Sequence, residues 1–493
     1  MEKLLCELHN PGSSTSYLPQ PDVPAPAVAD LVPQELLRRE ALGLPEAPEP
    51  AVVRHYTRLS SLNYHVDRGM YPLGSCTMKY NPKVNEEMAG LQGFAGLHPH
   101  LPEEECRGAL EIMWALEGYL KEVSGMDRVS LQPAAGAQGE LTGLMMIRAF
   151  HASRGDDRDK ILIPDSAHGT NPASAALSGC GALTIPSGPD GRVDLEAMRK
   201  GLDARCAAVM ITNPNTLGLF ETDVKKLADM THEAGALMYL DGANLNAVVG
   251  LARPREMGFD VVHFNLHKTF SSPHGGGGPG SGPVGVVREL EPFLPVPVLE
   301  RADDGPLFWD FERPQSIGSV HAFYGNFGVM VRAYCYIRSL GAEGLEEVSR
   351  RAVLNANYLL ARLKDCYELP YDSRCMHEFV LSGISQKAKG VRTADIGKRL
   401  LDYGLHAPTV YFPLIVPEAL MIEPTETEGK PELDRFVQAM RRIAKEVEEE
   451  PETVKGAPYS TPVRRLDEAL AARQLKVRWD GIGNGDPSET IER

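Results

Sequence analysis

The strongest restriction on the architecture of this chain is a succession of short segments that are apolar throughout, separated by stretches with helical spacing. Lys160–Pro164, Gly181–Ile185, Ala207–Thr212, Ala236–Asp241, Asp260–Phe264 and Pro283–Val287 all carry the pattern. Between two of them, Thr222 to Ala234 places Val224, Leu227, Ala228 and Thr231 on one helical face. A strand with one wet face alternates polar and apolar residues, so strands apolar on both faces must be covered on both. Joined by helical crossovers, they predict an α/β protein with a mainly parallel sheet between two layers of helices. Ligands of such sheets bind at the carboxyl ends of the strands.

The remaining segments extend this unit at both ends. Residues 11–50 are rich in Pro, Ala and Glu, with one short helical patch from Leu36 to Ala41, and read as an extended arm. A helix over Ala109–Val123 and a strand over Arg128–Gln132 lead into the alternating region, with a further apolar helix over Leu141–Phe150. Ala322–Leu340 reads as a long helical link into a smaller α+β domain, where His377–Leu381 is strand-like and Thr393–Tyr403 and Glu432–Glu449 are helical. The expected division is an arm with an active-site segment over residues 1–94, a large domain over 95–330, a small C-terminal domain over 331–460 and a polar tail over 461–493.

Composition narrows the function classes. At 43% hydrophobic and 24% charged over 493 residues, the chain is an ordinary globular protein with room for a large core. A formal net charge of −16 argues against nucleic acid or an anionic membrane surface as a partner. Glu446, Glu448, Glu449 and Glu450 supply part of that charge as an expected solvated helix end. The N-terminus lacks the apolar core of a secretory signal, and no stretch approaches the about 20 apolar residues of a membrane helix, so a cytoplasmic location is expected. The eight cysteines are scattered, without a C-x-x-C or a His/Cys cluster at zinc spacing. Neither a disulfide framework nor a structural metal is indicated, and most of them read as buried small hydrophobes.

Chemistry-bearing residues stand at the strand ends. Asp241 closes one apolar strand and Lys268 follows the next, in His267-Lys268-Thr269-Phe270. A lysine and a buried acid at successive strand ends are what a pyridoxal phosphate (PLP) enzyme needs: the amine holds the aldehyde and the carboxylate keeps the ring nitrogen protonated. Singly, Lys268 reads equally as a surface lysine and Asp241 as the N-cap of Ala243–Val249; the pair carries the argument. Ala134–Glu140, between a strand and the apolar helix, contains Ala135, Gly136 and Ala137, whose small side chains let helix N-terminal N–H groups approach a phosphate. His168, after the strand Ile161–Asp165, offers an imidazole to stack on the ring, and Ala243 leaves room on the other face. Asn213–Thr216 offers polar groups for the phenol oxygen.

Two patterns are set aside. His274–Gly280 contains G-x-G-x-x-G, but a strand follows where a dinucleotide site needs a helix, so its glycines serve backbone packing or a subunit contact. His263 and His267 share one strand face without converging, and no third ligand stands nearby in sequence, so no metal is expected.

Tyr71–Pro82, Gln132–Glu140, Asp165–Ala173, Asp241–Ala247 and Asn265–Phe270, in that order, resemble the glycine decarboxylase (P-protein) family of the glycine cleavage system. The resemblance covers about residues 54–460, and the length matches the second subunit of the split form of that enzyme. It implies PLP fold type I, PLP as cofactor, and glycine decarboxylation with transfer of the aminomethyl group to the lipoyl arm of H-protein, releasing CO2. It also implies a first subunit that pairs with this one as α2β2. By the same resemblance Lys268 forms the Schiff base, Asp241 faces the ring nitrogen, His168 stacks on the ring, and Gly136 with Ala137 cradles the phosphate. His267, Thr216 and Asn244 match family positions around the cofactor. The Ser75-Cys76-Thr77 segment matches a stretch near the active site, where Cys76 as a nucleophile is the weaker reading because the lipoyl sulfurs already supply that chemistry.

Overall fold

The computed structural model describes residues 2–8, 12–13, 22–39, 44–275, 279–303 and 305–475. The chain divides into two units, Met1–Tyr64 with Ala457–Arg493, and His65–Gly456. In the first, the main element is the helix Glu49–Leu62, which carries Pro in its first turn, where the missing N–H costs nothing. The helical patch expected at Leu36 to Ala41 is a single 3-10 turn, Gln34–Leu36; Glu40 and Ala41 lie outside the described residues, as does the tail beyond residue 475.

His65–Gly456 contains a seven-stranded sheet built from β1 (Arg128–Ser130), β2 (Lys160–Pro164), β3 (Gly181–Ile185), β4 (Cys206–Thr212), β5 (Leu237–Asp241), β6 (Val261–His263) and β7 (Val284–Val286). Its order is β1-β7-β6-β5-β4-β2-β3. The neighbours from β3 to β6 are parallel, and only β7 runs against both of its partners. β4, in the middle, is buried at every residue. β3 differs from expectation: Gly181–Thr184 are exposed because this strand is the sheet edge, and only Ile185 is covered. The helix Gly136–Ser153 packs so closely on the sheet that a Cβ at Gly143 would stand 2.4 Å from the Tyr239 ring.

A hairpin of β8 (Val298–Arg301) and β9 (Leu307–Asp310) precedes the helix Phe327–Leu363. That helix extends well past the expected end at Leu340, with a break at Gly341, whose φ of 65° suits glycine. Its first part packs in the core of the large sheet, and its last turns join a second core with Phe379, Leu420, Phe436 and Met440. There β10 (Phe379–Ser382), β12 (Ala419–Ile422) and β11 (Thr409–Val410) form an antiparallel sheet in the order β10-β12-β11, so a smaller α+β layer follows the parallel one.

Glu446 is not part of a solvated helix end. It is buried, and accepts hydrogen bonds from Arg399 Nε at 2.9 Å and the Tyr403 hydroxyl at 2.6 Å, while Glu448, Glu449 and Glu450 are exposed as expected. No cysteine is paired; Cys180, Cys206 and Cys375 are buried and the others partly exposed. Among the described residues no helix is long and apolar enough to cross a membrane.

Candidate active site

Strand geometry brings the site together. Parallel strands end on the same side, so Asp241 at the end of β5, Lys268 after β6, His168 after β2 and Thr216 after β4 all leave the sheet at one edge. Asp241 is 1% exposed. Its Oδ1 accepts from the Ala243 N–H at 2.9 Å and lies 3.3 Å from His263 Nε2, and its Oδ2 accepts from Asn171 Nδ2 at 3.0 Å. Burial alone would push this carboxyl up; the pull of His263 and His168 and the two hydrogen bonds outweigh burial and hold it down to about 2. Asp241 is therefore both a cap of the following turn and an ionised buried carboxylate, so the two readings of the sequence are compatible.

Lys268 Nζ donates to the Ser75 carbonyl at 2.9 Å. Ser75 Oγ lies 3.0 Å from His168 Nε2 and donates to Asn244 Oδ1 at 3.3 Å. Burial pushes His168 down to about 4 against the attraction of Asp241, so its imidazole is neutral near pH 7. Asn244 is fully buried, and its Nδ2 donates to the Pro214 carbonyl and to Glu378 Oε1, both at 3.0 Å.

The turn expected to cradle a phosphate forms as the local sequence requires. Ala135 is the extended N-cap of the helix Gly136–Ser153, and the first intrahelical bond runs from the Gly139 N–H to the Ala135 carbonyl, so the N–H groups of Gly136, Ala137 and Gln138 precede the helical ladder. Those groups face the half-positive end of the helix dipole, the place where a dianion is held. A Cβ at Gly136 would stand 2.2 Å from Asn265 Oδ1. Gly136→Ala is therefore expected to displace Asn265 or the turn and to weaken PLP binding about tenfold or more, read as a raised Kd in a fluorescence titration; an unchanged Kd would remove this turn from the site.

Other expected residues contribute differently. Ala243 is buried beside Asp241. Thr216 Oγ1 donates to the Ser166 carbonyl, which ties its loop to that of His168. The side chains of Asn213 and Asn215 are engaged within their own turn: Asn213 Oδ1 accepts from the Glu221 N–H at 3.0 Å, and Asn215 Oδ1 accepts from Leu217 and Leu219 at 3.1 Å. His267 Nδ1 accepts from the Ser281 N–H at 3.3 Å and its ring meets His274 edge-on at 5.2 Å. Gly276, Gly277 and Gly278 of the glycine-rich loop lie outside the described residues.

Tertiary packing adds groups that sequence reasoning did not select. His263 does not converge with His267; it joins Asp241 and Glu140, with one ligand atom of each within 4.8 Å of the others. The absence of a third acidic or histidine neighbour, argued from sequence spacing, is thus corrected by residues distant in the chain. Glu140 accepts from Thr170 and Ser174 at 2.7 and 2.8 Å, clamping the helix after His168 to the cradle helix. Lys79, fully buried, donates to Glu426 at 2.6 Å, Asn246 at 2.7 Å and the Thr269 carbonyl at 2.9 Å, and so fixes the residue after Lys268. Glu423 directly follows the apolar strand β12, the same signal that singled out Asp241, and attention to that signal would have found it.

Burial pushes the Cys76 thiol up to about 11 despite the pull of Lys268. The group is a thiol, not a thiolate, at neutral pH, so it is a poor nucleophile. Its alkylation by iodoacetamide at about pH 7 is expected to run at least tenfold slower than in the unfolded chain, measured by mass spectrometry; equal rates would contradict the burial argument.

The arrangement fits PLP: an amine, an ionised buried carboxylate, a neutral imidazole and a helix N-terminus stand at one sheet edge. Residues 143–277 match the family described as Aminotransferase class-V, and residues 348–460 match Glycine dehydrogenase, C-terminal domain. The probable glycine dehydrogenase (decarboxylating) subunit 2 of Caldanaerobacter subterraneus subsp. tengcongensis is 59% identical over 477 residues, 97% of this chain and 98% of that protein. This chain belongs to that subunit 2 family. A second member, from Halalkalibacterium halodurans, is 57% identical over 98% of this chain and 99% of its own length. Among solved structures, an inhibitor-bound glycine decarboxylase (P-protein) of the glycine cleavage system superposes with a TM-score of 0.72 at 21% identity, over 84% of this chain and 94% of that one. An apo cysteine desulfurase from Thermococcus onnurineus NA1 gives 0.60 at 16% identity, over 77% and 95%. At these identities the likeness is one of fold, and the fold is PLP fold type I.

Proposed function

We propose that this subunit 2 family member decarboxylates glycine with PLP, transfers the aminomethyl group to the lipoyl arm of H-protein and releases CO2. The observation that carries the reading is the placement of Asp241 at the end of β5 and of Lys268 after the adjacent strand β6, in a chain whose relatives are named glycine dehydrogenase (decarboxylating). Bound PLP supplies the electron sink that lets an amino acid part with its carboxylate. Lys268 is the amine that would hold the aldehyde. The Asp241 carboxylate, excluded from water, holds the proton on the ring nitrogen, and an ion pair in such a site is far stronger than in solution. The N–H groups of Gly136 and Ala137 orient the phosphate, and His168 covers the ring. Ser75 fixes both His168 and Lys268 through its hydroxyl and carbonyl.

The name subunit 2 implies a partner subunit, and we infer a first subunit that pairs with this one as α2β2. Unpaired cysteines throughout accord with a reducing compartment, so we assign the chain to the cytoplasm.

The deciding experiment is exchange of labelled bicarbonate into the glycine carboxyl, with this chain, the partner subunit, PLP and lipoylated H-protein. Exchange that disappears without lipoylated H-protein is the expected outcome; exchange with other amino acids alone would redirect the function to another fold type I reaction. In a spectroscopic titration with PLP, His168→Ala is expected to raise the Kd and shift the absorbance, and unchanged affinity would count against stacking.

A further inference from the structure

Beside the residues that hold the cofactor lies a buried cluster with no part in the chemistry so far. Glu378, Glu423 and His377 are each 0% exposed, and one ligand atom from each lies within 4.8 Å of the others. His377 Nε2 lies beside both acids, 4.0 Å from Glu378 Oε1 and 3.8 Å from Glu423 Oε1, just beyond hydrogen-bond reach of each. Two carboxyl groups this close in a dry interior do not both ionise, because their repulsion keeps a proton on one of them.

The hydrogen bonds indicate where that proton sits. Glu378 uses both oxygens as acceptors, Oε2 from the Ser75 N–H at 2.6 Å and Oε1 from Asn244 Nδ2 at 3.0 Å, and Oε1 also lies 3.4 Å from Ser75 Oγ, within reach of its hydroxyl when that turns from Asn244. Glu423 Oε2 accepts from the Thr77 N–H at 2.9 Å, but Glu423 Oε1 and both ring nitrogens of His377 have no hydrogen-bond partner among the described residues. A neutral imidazole brings one N–H and one acceptor nitrogen, so a proton on Glu423 Oε1, facing the ring, gives that acceptor a donor. Burial pushes both carboxyls up and His377 down to about 3, which keeps the proton on the carboxyl side.

The same two acids shape the neighbouring loop. Ser75 and Thr77 have φ of 61° and 46°, in the left-handed region that side chains disfavour, and in that conformation their N–H groups point at Glu378 and Glu423. The turn so held carries Ser75 Oγ to His168 and the Ser75 carbonyl to Lys268. The other titratable groups packed around the triad are Lys268, Lys79 with Glu426, Cys76, Cys375 and, across Ser75, His168.

We propose that Glu423, His377 and Glu378 hold one proton in common and deliver it through Ser75 Oγ to the reaction site, where it protonates the sulfur released from the acceptor disulfide. The inference rests on the glycine-to-lipoyl reaction proposed above. In that reaction the methylene carbon of glycine loses CO2 and bonds to one sulfur, the sulfur–sulfur bond breaks, and its electron pair stays on the second sulfur. That sulfur takes up a proton, so each turnover consumes one. Ser75 Oγ gives its proton to the sulfur and is reloaded from Glu378, which is reloaded across His377 from Glu423, and the triad recovers its proton from solvent.

The test uses the holoenzyme with its partner subunit. Infrared difference spectra of the wild type between H2O and D2O are expected to show the C=O band of a protonated carboxylic acid, absent in Glu423→Gln. With glycine and lipoylated H-protein, that variant is expected to turn over about 100-fold more slowly and to lose the alkaline limb of the pH profile, as removal of a general acid does. A wild-type spectrum without the band overturns the proposal even where the variant fails to fold, and so does a folded variant with the wild-type rate and pH profile. If the wild type itself neither responds spectrally to glycine nor turns over with lipoylated H-protein, the functional reading has failed instead; the infrared band then still decides whether the shared proton exists.

Discussion

Lys268→Ala abolishes the visible absorbance of bound PLP and, with it, glycine turnover. The expectation rests on what the amine does at its position after β6: it is the group that holds the aldehyde, and no other side chain can take its place. Lys79, a fully buried lysine beside the site, is committed to Glu426, Asn246 and the Thr269 carbonyl. The loss should exceed the about 10²- to 10⁴-fold that a single proton-transferring group supplies, because covalent capture and proton transfer go together. The fold should survive, since Lys268 is only partly buried and gives up one hydrogen bond, to the Ser75 carbonyl. Absorbance of the purified protein after incubation with PLP, circular dichroism and labelled CO2 release measure the three parts separately. Decarboxylation retained in the alanine variant would remove Lys268 from its role.

Asp241→Asn should bind PLP and lose most of its activity. The amide keeps the shape of the carboxylate, and its oxygen can still accept from the Ala243 N–H. It cannot hold a charge opposite the ring nitrogen, and breaking a buried ion pair costs about 3–5 kcal/mol. Expressed on the barrier, that is a fall of about 10²- to 10⁴-fold in rate. The pH dependence follows from the same site. A carboxyl held down to about 2 gains its stabilisation above its ordinary value and loses it only as pH falls through about 2, so Asp241 stays ionised wherever the chain is folded. The acid limb of the wild-type profile between about pH 5 and 8 therefore belongs to other groups, and Asp241→Asn should lower the profile without moving that limb. A variant with the wild-type rate would refute the ring-nitrogen role.

Much of this arrangement was legible in the residues because strand ends are local. The apolar run Leu237–Leu240 makes a central strand, and the polar residue that closes it must emerge at the carboxyl edge, as Asp241 does. The Ala-Gly-Ala turn before an apolar helix predicts a close-packed helix start, and the space at Gly136 is filled by Asn265. Where the reading went astray, the cause was distance along the chain. Glu446 looked solvated beside its acidic neighbours, but Arg399 and Tyr403 come from another helix and its C-cap to cover it. Gly181–Thr184 looked like an interior strand, because apolar composition does not say which strand is last in the sheet.

The sequence by itself determined the parallel α/β unit and the cofactor class and singled out Lys268 and Asp241, since each follows from short-range patterns of burial and turn chemistry. Only the tertiary structure decided what surrounds them. Ser75 and Thr77 lie 303 and 346 positions from Glu378 and Glu423, and their N–H groups meet those carboxyls only in the packed chain. Desolvation, the force that perturbs the ionisation of those buried acids, depends on which segments close over a group, and that is a property of the packed chain and of no window within it.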